Sequence, residues 1–300
     1  MDKLKAMQTF VRIADEGSLT AAAQAGNASL PAVVRSLAAL EAALGVRLFH
    51  RTTRRISLTE EGKRYLESCR LLLASVEDAE AALTASARAP AGRLTLTAPV
   101  LFGQMYVAPA VTRFVQRFDG VRCTLLLYNR VVNLLEEGID AGVRIGALED
   151  SSLVAQPLGS LRRMVVASPA WLRRHGTPQH PRELRTADCI RSGGARGGWK
   201  FHENGKSFQV AVAGRLEFND VRAAIDACVA GMGVGMFISY QVAPLLREKR
   251  LRLVLGDFEP PAQPLNVVYP HARLLPARTR AFIEFIKAEF KDLPAAITSL

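Results

Sequence analysis

Residues 17–31, Gly17-Ser18-Leu19-Thr20-Ala21-Ala22-Ala23-Gln24-Ala25-Gly26-Asn27-Ala28-Ser29-Leu30-Pro31, hold two helix starts. Gly17-Ser18 ends one apolar helical pattern, and Ser18 is a good N-cap for a short helix through Leu19–Gln24. Gly26-Asn27 breaks the chain again. Ser29 then stands as the cap of a third helix with Pro31 in its first turn, where the missing proline N–H costs nothing. Upstream, Leu4, Met7, Val11 and Ala14, with Phe10 beside them, recur at helical spacing and predict the inward stripe of a first helix. Downstream, Val33, Leu37, Leu40 and Leu44 predict the inward face of the third, which Gly45 ends.

Two short extended pieces follow, Val46–His50 and Arg55–Leu58, around Arg51-Thr52-Thr53-Arg54. Three short helices and a two-stranded wing form a DNA-reading arrangement. The major groove is about as wide as one α-helix, so the third helix can lie in it. The wing then sets basic side chains against the neighbouring backbone or minor groove. Arg47, Arg51, Arg54 and Arg55 fall together with no acid among them. Alone, such a cluster describes a solvated basic loop equally well. Its position after three helices raises the DNA reading above that.

Thr59 opens a long helix whose apolar positions, Leu66, Cys69, Leu72/Leu73, Val76, Ala79 and Leu83, approach a seven-residue repeat. One seam of that length cannot bury itself, and a copy of the same helix is the simplest partner. Ala87-Arg88-Ala89-Pro90-Ala91-Gly92 is a linker of small residues, Pro and Gly. Beyond it, strand and helix patterns alternate: Arg93–Thr97 extended, Phe102–Phe118 helical, Val121–Leu127 extended, Val131–Glu137 helical, Ala141–Ile145 extended. Such units imply a mostly parallel sheet. Trp199–His202 and Ser207–Val212 read as a hairpin about Asn204-Gly205. Asp220–Ala230 reads as a helix, Val234–Ile238 as a buried strand and Pro276–Phe290 as a closing helix. Crossings near 161–167 and 265–269 would join two α/β lobes.

Composition sets the outer bounds. The chain has 300 residues, 49% apolar and 22% charged, with a net charge of +11, ordinary for globular domains but suited to an anionic partner. The excess is not in the N-terminal segment: residues 1–92 carry +2 and the remainder +9. No apolar run is long enough to span a membrane, and the N-terminus lacks the features of a signal peptide, so a cytoplasmic protein is expected. Cys69, Cys123, Cys189 and Cys228 are far apart and read as buried small hydrophobes, with a redox pair Cys189/Cys228 as the sharper alternative. Gly231-Met232-Gly233-Val234-Gly235 follows a helix and opens a strand, the reverse of a dinucleotide turn. The histidines are isolated and no catalytic pair is apparent. No enzyme activity, metal or cofactor is therefore expected.

Several blocks resemble LysR-type transcriptional regulators: Met7-Gln8-Thr9-Phe10-Val11, Gly17–Ala23, Leu40–Phe49 and Arg51–Gly62. Beyond the linker, Ala98–Gly103, Arg144–Leu148 with Asp150–Leu153, and Ala167-Ser168-Pro169 resemble that family's effector domain. The resemblance covers nearly the whole chain. It implies a winged helix-turn-helix at 1–58, a linker and dimerisation helix at 59–88, a hinge at 89–92 and an effector-binding domain at 93–300. That domain would be a two-subdomain, periplasmic-binding-protein-like α/β fold, subdomain I being 93–163 with 267–300 and subdomain II 164–266. The partners implied are double-stranded DNA, a small-molecule effector and further copies of the chain, as homodimer or homotetramer.

By position, the family's DNA-contacting residues fall on Ser18, Ser29, Leu30, Pro31 and Val34, with Arg35 on phosphate and Arg51 and Arg54 on the wing. Leu30 and Val34 depart from the family's usual Gln and Ser, which puts the base preference, not the membership, in question. The effector turns fall on Thr97, Ala98, Pro99 and Val100, on Tyr128, Asn129, Arg130 and Arg144, and on Ser192, Gly193, Phe218, Asn219 and Asp220. Helix N-termini there, and pairing by Arg130, Arg144 and Arg191, would suit an acid; those arginines are read equally as solvated or as bridges between subdomains. Two rivals stand beside this reading: a redox-responsive member of the same family, and a solute-binding protein, which has no use for the first ninety residues.

Overall fold

The computed structural model describes residues 2–51, 56–84, 89–148, 153–192, 198–270 and 275–293. The chain divides into two compact units, residues 1–88 with 274–277 and residues 89–273 with 278–300. In the first, α1 (Lys3–Glu16), α2 (Leu19–Ala25) and α3 (Leu30–Leu44) precede β1 (Phe49–Arg51), β2 (Ile56–Leu58) and α4 (Glu60–Thr84). Ser18 caps α2, accepting the Ala21 amide at 3.4 Å. Ser29 sits at the N-cap of α3, but its hydroxyl makes no capping bond.

Phe10 centres the core of this unit, its ring 5.3 Å from Phe49 and 5.5 Å from Tyr65. The inward face of α1 is Ala6, Met7, Phe10 and Ile13; of the expected stripe Met7 and Phe10 are buried, Val11 and Ala14 are half-buried against the same core, and Leu4 is exposed. Packing against α2, α3 and α4 turns the face toward Ala6 and Ile13. In α3, Val33, Leu37 and Leu40 are buried. The wing strands are antiparallel with Phe49 opposite Leu58 and Arg51 opposite Ile56; residues 52–55, Arg54 and Arg55 included, lie outside the described residues. On α4, Leu66 and Cys69 bury into this same core. The first half of the expected seam is therefore spent within its own unit, while Leu72 remains 52% exposed.

The second unit contains β3 (Gly92–Ala98), α5 (Val100–Phe102), α6 (Ala108–Arg117), β4 (Val121–Leu127), β5 (Ala141–Ile145), β6 (Leu153–Leu161), β7 (Arg163–Ala167) and α7 (Pro169–His175). After these come β8 (Cys189–Ser192), β9 (Trp199–Glu203), β10 (Lys206–Val210), β11 (Glu217–Phe218), α8 (Val221–Val229) and β12 (Val234–Ile238). The unit ends with α9 (Ser239–Arg247), β13 (Arg252–Val254), β14 (Gln263–Pro270) and α10 (Ala277–Glu289). Two five-stranded sheets result, ordered β4-β3-β5-β14-β6 and β11-β8-β12-β7-β13. Each is mixed rather than mostly parallel. The crossing strands bring the antiparallel pairs: β14 against β5 and β6, β7 against β12 and β13. The chain passes between sheets at Arg162 and returns before Gln263, ahead of the boundary expected at 267. Arg162 donates from Nε and Nη2 to the Glu259 carboxylate, 2.8 Å each, so one fork ties the outgoing crossing to the returning one.

Two local expectations change. Val131–Glu137 forms turns, not a helix; the Asn133 carboxamide accepts the Leu135 amide at 3.2 Å, a local bond that competes with helical pairing. β6 went unread because Pro157 and Gly159 interrupt its pattern. It lies at a sheet edge, where a missing N–H costs no ladder bond. The β9–β10 hairpin has the turn its sequence demands, with φ of 49° at Asn204 and 76° at Gly205.

Candidate functional site

In the first unit α3 is sharply two-sided. Ser29, Leu30, Pro31 and Arg35 are exposed while Val33, Leu37 and Leu40 are buried; Leu30 is 41% exposed and Val34 half-buried. Ser18 is half-buried and its hydroxyl is occupied by the α2 cap. Arg51 ends β1, and Arg47 just before that strand is exposed.

The residues that hold this surface in place had no role assigned from sequence. Glu41 on α3 accepts the amides of Leu48 at 2.9 Å and Phe49 at 3.3 Å, fastening the first wing strand to the helix. Thr59 donates its hydroxyl to the Arg47 carbonyl at 2.8 Å and accepts the Gly62 amide at 2.9 Å, capping α4 against the wing. A Cβ on Gly62 would stand 2.0 Å from the Leu48 carbonyl oxygen, so only glycine lets α4 approach that strand. The sequence signal was a carboxylate in an apolar helix and a glycine in the first turn of another.

The second unit has a cleft between its two sheets, with a cavity of about 660 Å³. Asn129, Ser192 and Asn219, all expected there, line it; Gly193 lies outside the described residues. Thr97, Ala98, Pro99, Val100, Tyr128, Arg130, Arg144 and Phe218 do not belong to its described lining, although Leu101, next to Val100, does. Thr97 and Ala98 are fully buried in β3. The Val100 amide is taken by Asn129 Oδ1 at 3.1 Å, and the first amides of α8 by Asp220 at 2.9 and 3.3 Å. Three of the leading amides of these helices are thus already taken.

Of the arginines read as anion ligands, Arg130 and Arg191 are paired with carboxylates. Arg130 forks onto Glu137 at 2.7 and 3.0 Å and lies 4.7 Å over the Tyr128 ring. Its hydrogen bond holds the Glu137 carboxyl below the usual range. Arg191 pairs with Glu217 at 3.4 Å. Arg144 reaches the Arg130 carbonyl at 3.5 Å, its Nη2 buried without a partner, and burial pushes its pKa down. Among the described residues, the charged one that lines the cleft is Arg163. Trp199, Tyr240, Gln241 and the β12 residues Met236–Ile238 line it too. None of these was singled out as a site from sequence; a dibasic pair opening an apolar strand was the available signal for Arg163.

Cys189 and Cys228 are buried free thiols, each pushed up to about 12 by burial. Gly231-Met232-Gly233 links the end of α8 to β12, a helix-to-strand turn as its order in the sequence predicts.

Comparison with known proteins agrees across both units. Residues 4–63 match the family described as bacterial regulatory helix-turn-helix protein, lysR family. Residues 87–291 match the LysR substrate binding domain. A helix-turn-helix transcriptional repressor of Pseudomonas aeruginosa is 35% identical, covering 98% of this chain and 94% of that protein. The regulator CrgA of Neisseria meningitidis is 30% identical over 94% of this chain and 95% of its own; its solved structure covers 95% of this chain and 98% of its own at a TM-score of 0.60 and 29% identity. The full-length virulence activator AphB of Vibrio cholerae, described as a LysR-type regulator, aligns at a TM-score of 0.61 and 26% identity over 95% of this chain and 99% of its own.

Proposed function

The chain belongs to the LysR-type family of DNA-binding transcription regulators with a substrate-binding domain, and from that premise we propose how its residues divide the work. α3 reads the major groove through Ser29, Leu30, Pro31 and Val34, with Arg35 on phosphate, Ser18 beside them at the head of α2, and Arg51 and Arg54 of the wing on the flanking backbone or minor groove. The observation that carries this is the two-sidedness of α3, whose starting residues face water while Val33, Leu37 and Leu40 fill the core. Leu30 offers no hydrogen bond, so readout there is apolar contact with a thymine methyl, and part of the specificity comes from DNA shape.

The effector occupies the cleft between the sheets of the second unit, and its differential affinity for open and closed cleft states biases DNA binding. Residues 1–58, 59–88 and 93–300 act as reading head, linker helix and effector domain. The chain works as a homodimer or higher assembly through the part of α4 beyond Cys69, where Leu72 is exposed.

Binding of the purified protein to DNA flanking its own gene, with excess competitor, tests the reading. A bounded footprint that Arg35→Ala weakens is expected; binding that vanishes with competitor overturns sequence-specific recognition there. A monomer by light scattering at micromolar concentration overturns the assembly.

A further inference from the structure

We propose that the cleft of the second unit selects an anionic ligand, a carboxylate on an apolar body, and that Arg163 is the residue that recognises it. The inference rests on the cleft being the effector site, and it names the class of effector.

Arg163 opens β7 beside Arg162, and the two guanidinium groups have opposite fates. Arg162 is satisfied by the Glu259 fork. Arg163 lines the cavity, and among the described residues no carboxylate pairs with it. No acid belongs to the described lining; its polar members are Asn129, Ser192, Asn219, Tyr240 and Gln241, all neutral. Burial alone acts on the Arg163 guanidinium, pushing its pKa down with no opposing anion. A cation held partly out of water without a counterion is an unfavourable state that an incoming carboxylate relieves through two parallel N–H···O bonds.

The remaining walls set the rest of the ligand. Leu101 comes from one side, Ile190 and Trp199 from the other, and Val221, Met236 and Phe237 continue the apolar surface. A cavity of about 660 Å³ is the size of a metabolite site, and one charge among the described apolar walls favours a monoanion over a polyanion. At the helix N-termini nearby, Asn129 already holds the Val100 amide and Asp220 those of Arg222 and Ala223, which leaves Arg163 as the full positive charge in the described lining. Orientation is thus assigned to one side chain, with neutral amides and hydroxyls around it.

The test uses the full chain and matched acid–amide pairs: phenylacetate, hexanoate and cyclohexanecarboxylate against their primary amides, by calorimetry and thermal shift. At least one acid is expected to bind while its amide does not. Arg163→Gln is expected to weaken that acid about 30-fold or more, with an unchanged circular dichroism spectrum, and Arg163→Lys to recover part of the loss. The inference is overturned if amides bind as tightly as their acids, if Arg163→Gln leaves the affinity unaltered, or if none of the acids binds. Ile190→Trp, which fills the cleft, separates the two levels of the argument. A bound amide displaced by that filling keeps the cleft as the site and removes only its preference for anions. An acid that still binds places the ligand elsewhere and removes both.

Discussion

Arg35 and Arg163 are the same side chain in opposite surroundings. Arg35 stands exposed on α3 of the reading head; Arg163 lines a cleft between two sheets, burial pushing its pKa down. In open water a guanidinium gains little from any one partner, and it acts by exchanging with the ion atmosphere of DNA. Out of water, each hydrogen bond to the charge is worth more and an unpaired charge is costly. A surface that must slide along any duplex needs many weak cations, whereas a site that must discriminate one metabolite needs few, each partly desolvated.

The largest expected effect tests the frame that presents the exposed set. Gly62→Ala forces a methyl against the Leu48 carbonyl, 2.0 Å away. Backbone cannot yield as a flexible side chain can, so α4 or the wing must move, at a cost of about 3 kcal/mol. DNA binding should fall sharply and the unfolding transition of the first unit should drop, while carboxylate binding in the second unit is retained. Undiminished DNA affinity would show that the Glu41 and Thr59 bonds, not the close approach of α4, position the wing.

The same contrast explains what could be read from sequence. The head is made from consecutive residues: a cap at Ser18, a helix start at Ser29-Leu30-Pro31, a helix end at Gly45 and a wing of a few residues, all local chemistry that a linear pattern records. Even there the edge of the α1 stripe is set by packing: helical spacing admits Leu4, which is exposed, as readily as Ile13, which is buried. The cleft is made from residues between Leu101 and Gln241 that meet only once the two sheets form. Ser192 and Asn219 were legible as turns at strand ends. Arg163 was not, because whether an arginine pairs with acid or lines a cleft depends on partners distant in the chain. Arg130 and Arg191 looked equally suited and are held by Glu137 and Glu217.

Salt separates the two arginine environments directly. DNA affinity should fall steeply as salt rises, with a slope proportional to the phosphates neutralised. Carboxylate affinity should change only about twofold over the same range, because a partly buried pair is screened far less than an exposed one. Equal salt dependence would place Arg163 in open solvent and erase the distinction. A smaller effect follows for one exposed cation: Arg35→Ala should lower the DNA salt slope by about one and weaken all sequences nearly alike. A loss confined to one operator base pair would instead make Arg35 a base reader.

The smallest expected effect is none at all, and it decides between a metabolite sensor and a redox-responsive regulator of the same family. Cys189 and Cys228 are buried and burial holds both thiols up to about 12, so almost no thiolate exists at neutral pH, and thiolate is the form that peroxide oxidises. Cys228 instead spends its Sγ on the carbonyls of Val166 and Gly233, 3.5 Å each, and Cys189 on that of Leu184 at 3.6 Å; both act as core packing. Peroxide at pH 7 should therefore leave DNA affinity unchanged in the wild type, Cys189→Ser and Cys228→Ser alike. The thiols declare themselves only in alkali. Because their folded pKa values are raised above the ordinary 9.0, the unfolded chain loses these protons first, so the stability they confer is complete below pH 9 and declines as pH climbs towards 12. Each serine variant should flatten that decline in thermal melts. A peroxide-dependent change in DNA binding that Cys189→Ser abolishes would establish a reactive thiol in a site where burial forbids one, and the redox reading would replace the metabolite reading.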